Sequence, residues 1–310
     1  MINTILYKLS HKKINHITYK YMKSYKNFWQ VIFNLSLITI VLLWTNNAGA
    51  ETLTDRIANF PNWENKPSIS AAKTDLIYPD WMSGNWNVKS TLIDMVAPLA
   101  PEIVTPGFEN NRQYLHQPVN FQVRFIKAES NLNTKEISAQ KLISFPTSWS
   151  SVINNSKIAK LDLPPDAVIA DREFNGLNIG KALLGDDAIL SVKIDQDNPN
   201  RQTTILADNL ELVSVITSRG SEQLNSDNFI SCEITQQLFQ GETMIYLNEV
   251  ETTTEYHHIL DDNRGEIIEA NQITAIYLSP QDPDYFLAVN HPVALYRYEL
   301  ELSATLGSRE

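Results

Sequence analysis

Residues Tyr78–Val88 read YPDWMSGNWNV. Pro79, Asp80, Ser83 and Gly84 form a turn cluster around two tryptophans, and beyond it the chain alternates. Trp86, Val88, Ser90 and Leu92 share one parity, while Asn85, Asn87, Lys89 and Thr91 share the other. Successive side chains on a strand point to opposite faces, so this pattern predicts a half-buried strand starting at Gly84. Val119, Phe121, Val123 and Phe125 alternate with Asn120, Gln122 and Arg124 in the same way. Further strands are expected at 188–194, 203–207, 210–217, 229–239, 243–247, 250–260, 267–278 and 293–302. Many strands joined by short turns predict an all-β, mainly antiparallel fold, a barrel first and a two-sheet sandwich second.

Helical signals are few. Leu53–Asn59 suits a short helix in an otherwise polar arm, 51–77. Asn175–Leu184, ended by Gly185, has Leu177, Lys181 and Leu184 at helical spacing, and Pro283–Val289 forms a third short segment. The connections Ala97–Pro118 and Ser144–Asp171 are long, which suits either lids and binding loops or padding.

Residues 1–50 hold six lysines and no acidic residue, then an apolar run at Ile32–Trp44, then Ala48-Gly49-Ala50. That order predicts a secretory signal peptide cleaved before Glu51. The run is interrupted by Asn34 and Ser36 and is shorter than the roughly 20 apolar residues of a spanning helix. Met22 followed by Lys-Ser-Tyr-Lys offers an alternative translation start to Met1. Removing the six leader lysines from 25 basic residues leaves 19 against 36 acidic ones, a net charge of −17. Such a surface repels phosphate backbones and anionic headgroups, which argues against nucleic acid and membrane surfaces as partners. The lone Cys232 permits no internal disulfide, so 51–310 must be held by its own core, with 78–310 expected as a single domain.

Gly84-Asn85-Trp86 at the head of the first strand, with Arg297 in the last strand LYRYELEL, resembles the lipocalins and the wider calycin group. That resemblance implies a closed β-barrel in which the Trp86 indole plugs one end beneath the Arg297 guanidinium, a contact worth about 0.5–2 kcal/mol depending on burial. A broader likeness runs from Tyr78 to Leu302. The stretches YPDWMSGNWNVKSTL, VNFQVRF, NEVETTTEYH and QITAIYLSPQDPDYFLA, followed by HPVALYRYELEL, resemble an uncharacterised family of cyanobacteria and plastids. It implies an exported protein of the thylakoid lumen or periplasm and carries no catalytic residue.

No GxSxG, HExxH, CxxC, P-loop or dinucleotide fingerprint is present, so no reaction is signalled. His257 and His258 are adjacent on a strand and face opposite ways, so they do not ligate one ion without a bulge; no metal and no cofactor is expected, with a single axial haem ligand at His258 as the alternative to a packed or lining side chain. Glu233 with Glu255, and Asp171 with Glu173, are the carboxylate pairs that glycoside chemistry would require. Trp86, Phe121, Phe125, Tyr256 and His258 fall on the apolar parity and would line the barrel, with Arg124 or Arg297 near a mouth. A small barrel is either packed solid or holds one ligand. The leading expectation is non-catalytic binding of an apolar or amphipathic small molecule, pigment-like or lipid-like. A scaffold docking a lumenal protein through its loops comes second, and a barrel enzyme acting on a pigment or sugar third.

Overall fold

A computed structural model describes residues 51–105, 107–128, 163–242, 245–261 and 265–305. The leader and most of the connection after Lys127 lie outside the described residues. Among the described residues eleven strands pair into one antiparallel sheet: β1 Ser70–Ala71, β2 Gly84–Val96, β3 Pro118–Lys127, β4 Val168–Ala170, β5 Ile189–Ile194, β6 Arg201–Leu206, β7 Glu211–Gln223, β8 Asn228–Gln240, β9 Ile245–Asp261, β10 Gly265–Leu278 and β11 Ala294–Ala304. Among the described residues three α-helices accompany them: α1 Leu53–Ala58, α2 Arg172–Leu184 and α3 Tyr285–Ala288. Asn248 and Glu249, which read as a break between two strands, belong to the long β9. Among the described residues no helix is long and apolar enough to cross a membrane.

The strand order is β4-β3-β2-β11-β10-β9-β8-β7-β6-β5, with β1 added beside β7. At about 4.8 Å per strand, β3 and β5 would lie roughly 38 Å apart on a flat sheet. Yet α2, a cylinder about 10 Å across, packs on β3, β5 and β6 together. Tyr78 shows the same thing: its ring lies 4.8 Å from Phe125 on β3 and 5.8 Å from Phe229 on β8, five strands away. Both contacts require a sheet curled into a half barrel, with Tyr78 and α2 on its inner side. The expected all-β, antiparallel, barrel-like fold is therefore present. Its closure differs from the expectation, because β4 and β5 do not pair and other elements fill the gap.

Two elements fill it. From β1 on β7, the segment through Asp75 crosses to β4, where Tyr78 N donates to Val168 O at 2.8 Å. Helix α2 closes the rest by serving both raw edges. Asn175 accepts from Arg124 N and donates to Arg124 O on β3, while Glu173 accepts from Ile194 N on β5. Unpaired edge groups are thus satisfied by side chains instead of another strand. The helix starts three residues earlier than periodicity suggests because Asp171 caps it, accepting from Phe174 N. Gly180 lets it sit close: a Cβ there would lie 2.8 Å from Ile189 Cγ1.

The outer face carries a separate core under the N-terminal arm. Trp63 from the arm packs with Ile273, Ala275, Tyr277 and Leu295 of β10 and β11, all at most 3 % exposed. Arg56 of α1 enters this layer and pairs with Glu251 on β9, which is fully buried.

Candidate functional site

The opening stretch forms the plug of the half barrel. Met82 and Trp86 are buried within the inner cluster of Val88, Phe125, Val168, Ile268 and Leu302, and the Trp86 indole N–H donates to Met82 O at 2.8 Å. Gly84, with φ 127°, makes the turn into β2. Trp81 lies across the rim, stacked on the His258 ring at 5.0 Å and donating to Ser226 O in the β7–β8 turn.

Deeper in, register sets the lining row by row. Leu300, Ala270, Tyr256 and Phe229 stand side by side across β11, β10, β9 and β8. The next row is Tyr298, Gln272, Thr254 and Ser231, and the next is Tyr296, Thr274, Thr252, Glu233 and Arg219. The lining thus passes from aromatic and aliphatic to polar with distance from the Trp86 plug. Tyr256, Gln272, Thr252, Thr274 and Glu233 remain half-buried. By contrast Ile273, Ala275 and Thr253, their neighbours on the arm-covered face, are completely buried.

One wall of this polar zone is ionic. Glu233 Oε1 receives Arg172 Nη2 at 3.0 Å and lies 2.9 Å from Arg219 Nη2, while Arg172 Nε lies 3.2 Å from Asp75 Oδ1. These four groups come from the gap-crossing segment, α2, β7 and β8, so they fasten the closure from inside. Burial opposes the charge on both arginines. For Arg172 the carboxylates Glu233 and Asp75 outweigh it and raise the pKa; for Arg219 burial prevails, helped by the Arg172 charge, and the pKa falls. Burial likewise pushes the Tyr256 hydroxyl up to about 12 and that of Tyr78 well above its usual value, so both stay protonated.

Of the residues expected to line the barrel, Trp86, Phe125, Tyr256 and His258 converge on the inner face, with Phe121 packed against the same cluster. Arg124 sits at the β3 edge instead, salt-bridged to Asp171 and 4.3 Å above the Phe174 ring. Arg297 points to the opposite face, where Nε donates to Asn271 and the guanidinium lies 5.5 Å from Phe60. The expected stack of Arg297 on Trp86 is therefore not formed: Trp86 pairs across with Ala304, and Arg297 has the other parity. Both ring nitrogens of His258 face carboxylates, Nε2 to Glu266 at 2.7 Å and Nδ1 to Asp227 at 3.7 Å, which leaves neither directed at a haem iron.

The carboxylate pairs are also accounted for. Glu233 is inside and Glu255 lines an outer acidic cleft of about 490 Å³ with His257, Glu269, Glu299 and Glu301, so the sheet separates them. Asp171 and Glu173 are committed to the helix cap and the β5 edge. Among the described residues no three His, Cys, Asp or Glu side chains are placed to hold a metal ion. The ionic wall was not legible as a site, because Asp75, Arg172, Arg219 and Glu233 lie far apart in sequence and meet only through the curl.

Curl, plug and graded lining define an all-β open barrel closed by a helix and an N-terminal segment. The chain belongs to a family described as a domain of unknown function, DUF6816, whose model matches residues 70–305. No curated protein and no solved structure matches it.

Proposed function

We propose that this domain binds, without chemistry, an apolar or amphipathic small molecule of pigment or lipid type inside the half barrel. The observation that carries the reading is that Tyr256, Gln272, Thr252, Thr274 and Glu233, spread over three successive inner rows, stay half-buried beyond the buried cluster around Trp86 and Phe125. A solid core would exclude solvent there, as the arm does on the other face. An apolar chamber with a few convergent polar groups is the usual form of a small-molecule site. The lysine-rich leader, Ala48-Gly49-Ala50 and the acidic remainder support export, to the thylakoid lumen or periplasm.

Protein purified from its source should retain the ligand, visible by native mass spectrometry and absorption, and should begin at Glu51. Added ligand should quench Trp86 and Trp81 emission and raise the melting temperature. At 100-fold excess over Kd the stabilisation is about 2.7 kcal/mol. A panel of carotenoids, chlorophyll derivatives, quinones and fatty acids that gives no shift would overturn the reading.

A second reading, docking of a protein partner, is favoured by the β10–β11 connection. There Phe286, Leu287 and Val289 are 82 %, 74 % and 60 % exposed. Val289 has φ 51° and ψ −115°, a conformation that costs a β-branched residue on the order of 1–3 kcal/mol. Asp282 and Asp284 flank this tip, which suits an apolar pocket with a basic rim. Replacing Phe286 and Leu287 by serine should leave stability within about 1 kcal/mol and abolish assembly with the partner. Unchanged assembly would remove this reading.

A further inference from the structure

We propose that the end of the half barrel opposite the Trp86 plug is a docking face for a protein partner whose apolar side chains are flanked by lysine or arginine. This inference rests on the protein-docking reading, widens it from the β10–β11 tip to a whole end of the fold, and names the partner's chemistry.

Register locates the face. Trp86 pairs with Ala304 at the last residue of β11, so the connection leading into Ala294 lies at the far end of that strand. The β8–β9 turn, where Gln240 pairs with Ile245, and the β6–β7 turn, where Ile205 pairs with Glu211, are at the same end. So is the link from α2 into β5, because Ala207 N donates to Ala188 O. Neighbouring connections meet: a Cβ on Gly241 would lie 2.7 Å from Leu210 Cδ2, and the Tyr246 hydroxyl is held above its usual value by burial and by the charge of Asp282.

Among the described residues eight large apolar side chains are 60 % or more exposed, and seven of them stand at this end. Three are leucines within 183–190, Ile245 follows the β8–β9 turn, and Phe286, Leu287 and Val289 form the tip. Only Leu260, at the β9–β10 turn, belongs to the plug end. Exposed apolar residues scattered singly are ordinary, whereas seven gathered at one end mark an interaction face.

Charge decides what covers it. The segments 182–190, 207–210, 241–245 and 279–290 carry Asp186, Asp187, Asp208, Glu242, Asp282 and Asp284 and no lysine or arginine. A second copy would press carboxylates against carboxylates, and an anionic bilayer would be repelled. An uncharged bilayer would have to draw six carboxylates towards hydrocarbon along with the apolar tips. A protein surface that rings apolar side chains with lysine or arginine matches both features, the charges steering encounter and the apolar anchors holding it. From β5 to β11 the face spans six strand spacings, at most about 29 Å along the sheet, which is the length of a helix of about 19 residues.

The test titrates the full mature protein against three labelled 18-residue helical peptides, composed of leucine and lysine, leucine and glutamate, or serine and lysine, followed by fluorescence anisotropy. The leucine–lysine peptide should bind, the leucine–glutamate peptide should not, and the serine–lysine peptide should bind at least about tenfold more weakly. Leu184→Ser with Leu190→Ser, five strands from the tip along the sheet, should weaken the leucine–lysine peptide about tenfold or more, as should Phe286→Ser with Leu287→Ser. Glu269→Gln with Glu299→Gln in the outer cleft should leave it unchanged. All six side chains are exposed, so these variants keep the fold, and the wild-type series stands without them. Equal affinity for the serine–lysine peptide would reduce the interaction to charge and overturn the face. A loss confined to the Phe286 and Leu287 variant would restrict docking to the tip and overturn the wider surface. Cosedimentation with phosphatidylcholine vesicles, or a dimer in sedimentation that the leucine variants abolish, would assign the face to a bilayer or to a second copy and overturn the protein partner. Absence of binding by every peptide would overturn the partner's chemistry, while the docking reading itself is judged separately by assembly of the Phe286 and Leu287 variant with its native partner.

Discussion

Replacing Glu251 by alanine will cost about 3–5 kcal/mol of folding stability, read as a lower urea midpoint. Arg56 reaches Glu251 with both Nε and Nη2, at 2.5 and 2.7 Å, and Trp63 covers the guanidinium at 3.9 Å. Tyr277 and Thr253 donate to the same carboxylate at 2.7 and 2.9 Å, and Glu251 has no solvent exposure. Removing it leaves a buried cation, two hydroxyls without their acceptor, and a cavity, all beneath an arm that this contact anchors. In the wild type Glu251 outweighs burial and holds the Arg56 pKa raised; without it burial lowers the pKa, but a guanidinium does not deprotonate in a protein, so Arg56 cannot shed its charge to escape. The double replacement Arg56→Met with Glu251→Leu should recover most of the loss, since apolar residues of similar volume avoid the desolvation of both ions. A single-variant loss under about 1 kcal/mol would show that the arm does not depend on this pair.

The same pair marks the limit of what the sequence discloses. Strand periodicity placed β2, β3 and the strands after residue 188 because one face of each meets a core, and that requirement is local. It also placed Trp86, Phe121, Phe125, Tyr256 and His258 on the inner face, since parity is a property of a single strand. The parity of LYRYELEL was equally informative, with Arg297, Glu299 and Glu301 on one side and Tyr296, Tyr298, Leu300 and Leu302 on the other. Read that way Arg297 belongs with the outer glutamates, where the structure has it; the Gly-X-Trp and arginine resemblance pointed elsewhere. Arg56 and Glu251 are 195 residues apart, and within the short α1 an arginine looks like a solvated side chain. Closure was hidden for the same reason. A helix that serves two sheet edges through Asn175 and Glu173 leaves no periodic signature, because its partners are backbone groups on strands far away in sequence.

Glu233→Ala should be the second large loss, again about 3 kcal/mol or more, because it leaves Arg172 and Arg219 facing the single carboxylate of Asp75. Its consequences should also appear elsewhere. Glu251 binds the arm to the outer face, whereas Glu233 ties Arg172 at the start of α2 to the β7–β8 wall and, through Arg172, to Asp75 in the gap-crossing segment. Amide exchange should therefore accelerate in 70–78 and 172–184 while the ladder between β9 and β10 stays protected, whereas Glu251→Ala should loosen 53–66 first. Charge balance supplies a control. In the Glu233→Ala background, Arg219→Met leaves Arg172 facing Asp75 at 3.2 Å, one positive group against one negative. That double variant should be more stable than Glu233→Ala alone, a coupling of at least about 1 kcal/mol between residues in direct contact. Additive losses would mean that Arg219 does not depend on Glu233 for its counter-charge, and that the half barrel is held shut by the edge hydrogen bonds of α2 without the ionic wall.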